Sequence, residues 1–180
     1  AASDVYKRQQ GKTMIAGISL NYSFLIETIG LSNQDFLVSS LNFEQTMKLY
    51  TYVKSMMSRI IENEPFKSLA VETGLQLYTR EIKATVDSNS IQTISFESGK
   101  FDSKHFKLAV ADEVGELKTD EGISKITSGQ VNTEGSRFIE ISTSYQTPDV
   151  PFHQEQKKLI EIMERDFDRS GDCLLYTSPS

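Results

Sequence analysis

Leu108-Ala109-Val110-Ala111-Asp112-Glu113 decides the reading of this chain: four apolar residues in succession, then two carboxylates. A continuous apolar run suits a strand buried on both faces of a parallel sheet. Such a strand puts Asp112 at its carboxyl end, the edge at which open α/β sheets bind ligands, and Glu113 one step further out. Asp112 is suited to hold Mg²⁺, and Glu113 to polarise an attacking water. The plainer alternative is two acids that close a strand at the surface, because paired acids mark sites only statistically.

Upstream, Gly11-Lys12-Thr13 opens a stretch in which Met14, Ile18, Tyr22, Leu25 and Ile29 recur at helical spacing, with Gly30 as a stop. A Gly-Lys-Thr at a helix start is the end of a Walker A phosphate loop, where backbone N–H groups and the helix dipole hold phosphates. Gln10, Gly11, Lys12 and Thr13 are therefore the candidate nucleotide-binding residues. Lys12 would reach the β and γ phosphates of ATP, and Thr13 would ligate Mg²⁺ beside Asp112. The tripeptide alone is a weak signal.

Between these segments the pattern is strand then helix. Asp35 to Leu41 reads as a short strand, and Asn42 with Gln45 is a capping-box-like start for a helix whose inward face is Phe43, Met47, Tyr50, Val53, Met57 and Ile61. Leu75 to Tyr78, Ile82 to Val86 and Ile91 to Phe96 are strand-like, with a turn over Asp87-Ser88-Asn89-Ser90, and predict an antiparallel edge. After the Asp-Glu strand come a helix over Thr119 to Val131 and a strand over Arg137 to Ile141. That last strand runs out into Ser142-Thr143-Ser144, three hydroxyls able to bond a γ-phosphate or its water; local turn bonds are the commoner fate of such residues. A helix follows Pro151, a residue suited to a first turn, with Phe152, Leu159, Ile160, Met163 and Phe167 expected to face inward. The order of the three motifs, more than any one of them, predicts an α/β P-loop NTPase: a three-layer fold around a mainly parallel sheet, truncated at its first strand.

The chain has 180 residues, 38% of them hydrophobic and 24% charged, with no internal repeat, linker or apolar run long enough to cross a bilayer. No membrane role is expected. Both ends stand apart from the rest. Residues 1–9 back-translate codon for codon to a tagmentation adapter and its mosaic end, and residues 173–180 read as the reverse complement of that mosaic end running into a second adapter. Residues 10–172 are therefore taken as the biological fragment, and the tails are expected to lack core contacts. Without the tails the only cysteine, Cys173, is gone, and two basic residues and one acidic residue leave the totals of 19 and 25. The remaining net charge of −7 repels phosphate backbones on average, so nucleic-acid binding is confined to a local patch at most.

With the motifs in place, the chain resembles the ATPase domain of tailed-phage terminase large subunits. Arg8-Gln9-Gln10-Gly11-Lys12-Thr13 is similar to that family's form of Walker A, although Arg8 and Gln9 lie in the adapter-like stretch. Leu108 to Glu113, Ser142-Thr143-Ser144-Tyr145, Pro148-Asp149 and the helix from Phe152 resemble its Walker B, coupling motif and following helix. The resemblance implies Mg-dependent ATP hydrolysis in the full-length protein with Glu113 as the catalytic residue, and little activity in the fragment alone. It also implies translocation of double-stranded DNA into procapsids in the host cytoplasm. The partners implied are the portal protein, the small terminase subunit and further copies in a ring; the nuclease domain lies beyond residue 172.

A helicase-like P-loop ATPase and a catalytically dead scaffold are the alternatives. Arg80 and Arg137 are candidate arginine fingers toward a neighbour's γ-phosphate, with salt-bridging as the default for both. His105 and His153 lack partners at ligand spacing and are read as surface or packing residues. Lys100, Lys104 and Lys107 are read as a solvated turn rather than a DNA contact.

Overall fold

Helix α1 (Lys12–Leu25) starts where Gly11 takes a φ of 73°, a left-handed conformation open to glycine without a Cβ penalty. The structure, a computed structural model, describes residues 11–102, 104–142 and 150–170, with side chains described as far as residue 165. After α1 come β1 (Asp35–Ser39), α2 (Phe43–Ile60), α3 (Phe66–Glu72), β2 (Leu75–Leu77), β3 (Glu81–Ala84) and β4 (Asn89–Thr93). A 3₁₀ turn (Phe96–Ser98) leads to β5 (Phe106–Asp112), a second 3₁₀ turn (Val114–Glu116), α4 (Glu121–Gln130), β6 (Arg137–Ile141) and α5 (Pro151–Ser170).

The strands form one sheet in the order β2-β3-β4-β1-β5-β6. β1 pairs in parallel with both β4 and β5, and β5 pairs in parallel with β6. β2 and β3 form the antiparallel edge that the sequence predicts. β5 carries the apolar run: Leu108, Ala109, Val110 and Ala111 are all buried. Alternation along the strands, with a register shift between Phe106 and Leu108 at the start of β5, divides the core in two. Phe36, Val38, Leu108 and Val110 pack with α1 and α2 on one face, and Leu37, Phe106 and Ala109 pack with Ile126 of α4 on the other. The result is the expected three layers. α4 comes so close to the chain before β5 that a Cβ on Gly129 would sit 2.1 Å from the Lys104 carbonyl oxygen.

The Asn42 cap forms as read, its side chain accepting from Gln45 N at 2.9 Å. Elsewhere the structure corrects the sequence reading. The stripe Met14, Ile18, Tyr22 and Ile29 faces solvent, Ile18 being 50% exposed. α1 instead buries Ala16, Gly17, Leu20, Asn21, Ser23, Phe24 and Leu25. Small residues there let α1 approach α2 closely: a Cβ on Gly17 would lie 2.7 Å from Met56 Sδ. In α2, Leu49 is buried and Phe43 exposed. The turn after β3 spans residues 85–88, so Asn89 and Ser90 belong to β4, and α3 is an element that the sequence reading lacks. On α5, Leu159, Ile160 and Met163 are exposed rather than inward, while Phe152 is half-buried. The side chain of Phe167 lies outside the described residues.

Candidate functional site

The three motifs meet at one edge of the sheet. β1, β5 and β6 are adjacent and parallel, so Ser39, Asp112 and Ile141 end on the same side. Lys12 Nζ, in the first turn of α1, donates to the carbonyl oxygen of Ser142, the residue after β6. The side chain of Asp112 has the parity of Leu108 and Val110, which places it on the sheet face that carries α1. Lys12, Thr13 and Asp112 thus share a face and an edge.

Around Asp112 the chain is tied down by its own polar groups. Ser40 Oγ donates to the Asp112 carbonyl at 3.1 Å, and Glu113 N donates to Asp112 Oδ1 at 2.9 Å. Burial pushes the Asp112 carboxyl up from its ordinary range; the Glu113 amide bond opposes this, the Glu113 charge adds to it, and the Lys12 charge opposes it. Glu113 has a φ of 59°, a left-handed conformation uncommon for a residue with a side chain, and the alternation of β5 ends there. Strained backbone of this kind clusters at active sites. The second 3₁₀ turn then brings Gly115 N to Ser142 Oγ at 3.0 Å.

The residues at this edge fit a hard cation held with a phosphate. Carboxylate and hydroxyl oxygens are the ligands that Mg²⁺ takes, and a helix start with a lysine in its first turn suits the phosphates. Gln10, Thr143, Ser144 and Asp149, like residues 1–9 and 173–180, lie outside the described residues.

The two candidate arginine fingers lie at opposite ends of the sheet's strands. Arg137 begins β6, at the opposite edge from Asp112, where its guanidinium pairs with Glu27 and donates to Ser23 Oγ at 2.8 Å. This is the salt-bridging role read as the default for it. Arg80 lies 4.9 Å above the ring of Phe43, near the carboxyl ends of β1 and β4, and its carbonyl accepts from Thr93 Oγ1. Lys104 and Lys107 bond Gln92 Oε1 and the Glu134 carbonyl, and Lys100 is exposed. His105 Nδ1 is 2.7 Å from the Gly129 carbonyl, a packing role.

Sequence reasoning misses Ser40, Gly115 and Glu140. The first two act through a single hydroxyl or backbone amide and leave no pattern. Glu140 interrupts the apolar run Phe138, Ile139 and Ile141 of β6, a signal that was available. Burial, followed by the charge of Glu155 and a hydrogen bond to it, pushes the Glu140 carboxyl up to about 7.

A mainly parallel sheet with a lysine-bearing helix start, a strand-end Asp-Glu pair and a serine at its neighbour's exit defines a P-loop ATPase fold. Residues 3–159 match the model of the family described as terminase large subunit, ATPase domain, and the chain belongs to that family. This takes the place of the helicase-like alternative. The fold is similar to that of the large terminase of bacteriophage HK97, with a TM-score of 0.59 and 24% identity over 96% of this chain and 34% of that one. It is also similar to the large terminase ATPase domain of Thermus phage P74-26, with a TM-score of 0.60 and 13% identity over 78% of this chain and 58% of that one. The chain spans about a third of the length of the HK97 protein. No curated protein matches it.

Proposed function

We propose that this chain is the nucleotide-hydrolysing part of a DNA-packaging motor, in which ATP hydrolysis drives double-stranded viral DNA into a procapsid. The observation that carries this reading is the bond from Lys12 to the Ser142 carbonyl beside Asp112, which gathers three sequence-distant motifs at one sheet edge. The amides of the first turn of α1 and the Lys12 ammonium bind the β and γ phosphates. Thr13 and Asp112 hold Mg²⁺, which neutralises charge on those phosphates when bound. Glu113 orients the attacking water and takes its proton, so the carboxylate must be ionised before attack. Ser142, Thr143 and Ser144 sense the loss of the γ-phosphate and couple it to movement.

The family supplies the setting: a ring of copies on the portal, the small terminase subunit and DNA as partners, and the host cytoplasm as the place of work. Among the described residues no helix is long and apolar enough to cross a membrane. Residues 1–9 and 173–180 are adapter-encoded in this reading. The test is ATP hydrolysis by the full-length protein with Mg²⁺ and with chelator. Turnover that needs Mg²⁺ and rises with DNA and procapsids supports the proposal, and a full-length protein that binds no nucleotide refutes it.

A further inference from the structure

The peptide unit between Asp112 and Glu113 is tied at both of its polar ends. Its carbonyl accepts from Ser40 Oγ at 3.1 Å, and its N–H donates to Asp112 Oδ1 at 2.9 Å. The second tie is local, one residue closing on itself, whereas the first comes from 72 residues away in the sequence. The plane of this peptide sets the direction in which Glu113 leaves the strand, and Glu113 has a φ of 59°. A glutamate keeps such a conformation only where its surroundings over-determine it. Ser40 is a firm anchor for that purpose. It lies just past the end of β1 and is 1% exposed, so water does not compete for its hydroxyl. Its amide donates to Thr46 Oγ1 at 3.1 Å, near the start of α2, and its carbonyl accepts from the Phe96 amide at 2.9 Å, after β4. Ser39, one residue earlier, is buried too, but its hydroxyl has no partner among the described residues. The tie to the Asp112 carbonyl is therefore specific to one of two adjacent serines.

We propose that Ser40 is a positioning residue for ATP hydrolysis: by holding the Asp112 carbonyl it fixes the Asp112–Glu113 peptide and so aims the Glu113 carboxylate. The proposal rests on the ATPase reading above, in which Glu113 takes the proton of the attacking water, and names what keeps that carboxylate in place. Ser40 acts on the peptide that joins the two acids, not on nucleotide or metal. Asp112 stays in register without it, because β5 remains paired with β6 through Asp112 and Ile141. Glu113 has no such ladder partner beyond the strand end. Without the Ser40 hydroxyl its peptide is held on one side only, and the left-handed backbone relaxes towards the commoner negative φ. The carboxylate then leaves its aim while the residues that bind nucleotide are undisturbed. Ser40 therefore governs turnover and not affinity.

The experiment measures kcat and KM for ATP in the full-length protein, beside amide hydrogen exchange of residues 112–116 in the nucleotide-free state. Ser40→Ala should lower kcat by about 10- to 100-fold, the cost of a misplaced reacting group, and leave KM within about threefold. Exchange across residues 112–116 should quicken by about 2- to 10-fold, the worth of one hydrogen bond. Ser39→Ala, the neighbouring control, should do neither. In a Glu113→Gln background Ser40→Ala should cost less than about twofold more, because residues that act as a unit are not additive. Parent-like kcat or unchanged exchange for Ser40→Ala, beside a slow Glu113→Gln, overturns the positioning role and leaves the ATPase reading standing. So does a full loss in the Glu113→Gln background, or a loss that Ser39→Ala shares, because that is the behaviour of a packing residue. Should Ser40→Ala fail to fold, Ser40→Cys, similar in shape and a weaker donor, decides by the same comparisons. A parent that turns over no ATP overturns both.

Discussion

At the scale of single residues, burial separates acids that look alike in the sequence. Asp112 and Glu140 are both half-buried carboxylates on neighbouring strands, but Asp112 is held by an amide and faces the charge of Lys12, whereas Glu140 faces Glu155. A folded-state value of about 7 for Glu140 lies above that of an unfolded glutamate, so the folded chain binds the extra proton. Stability therefore falls as pH rises through the window from about 4.5 to 7, and is lowest above it. Glu140→Gln should raise the urea midpoint over the parent at pH 8, with the difference closing by pH 5. A difference that is equal at both pH values would show that Glu140 titrates normally. A second expectation concerns backbone proximity. Gly129→Ala must force a Cβ against the Lys104 carbonyl and should cost about 1–3 kcal/mol in urea unfolding, as overpacking does. An unchanged midpoint would mean that α4 can slide. Asp112 and Glu113 were legible because an apolar run ending in two acids is itself a pattern. Ser40 and Gly115 were not, because one hydroxyl and one amide look like any others until the fold brings them to a partner.

At the scale of elements, the strands were read better than the helix faces, for a physical reason. β5 lies inside the sheet and its apolar run alone marks it, and β6 at the edge is marked by Phe138, Ile139 and Ile141. β6 ends at the residues expected. α1 buries Ala16, Leu20 and Phe24, a second apolar stripe at helical spacing, and leaves Met14, Ile18 and Tyr22 outside, so of two apolar faces periodicity picked the wrong one. The same error recurs on α5, whose apolar stripe is exposed. A helix that is apolar on more than one side gives periodicity no single face to choose. The faces can be told apart by stability. Leu20→Ala should cost about 2–5 kcal/mol, the range for a buried leucine, and Ile18→Ala should stay within about 0.5 kcal/mol, as exposed positions do. Chemical denaturation of the two variants checks this, and equal losses would put Ile18 back in the core.

At the scale of the whole molecule, α1, β1, β5 and β6 set a helix start bearing Lys12 beside a carboxylate strand end, and the rest of the sheet supports them. The terminal stretches are expected to be foreign to the gene. Resequencing the source DNA across residues 9–10 and 172–173 should replace both, and recovery of the same codons would contradict their adapter origin. The most direct measurement is nucleotide binding and ATP turnover, side by side, for full-length parent, Glu113→Gln and Lys12→Ala proteins. Glu113→Gln should bind ATP and Mg²⁺ as the parent does and hydrolyse about 10²- to 10⁴-fold more slowly, the worth of a positioned base. Lys12→Ala should bind ATP more weakly, because a cation on the β and γ phosphates is removed. Parent-like turnover by Glu113→Gln, with Lys12→Ala impaired, would make Glu113 only a strand-end acid. Parent-like binding and turnover by both would contradict the nucleotide site itself.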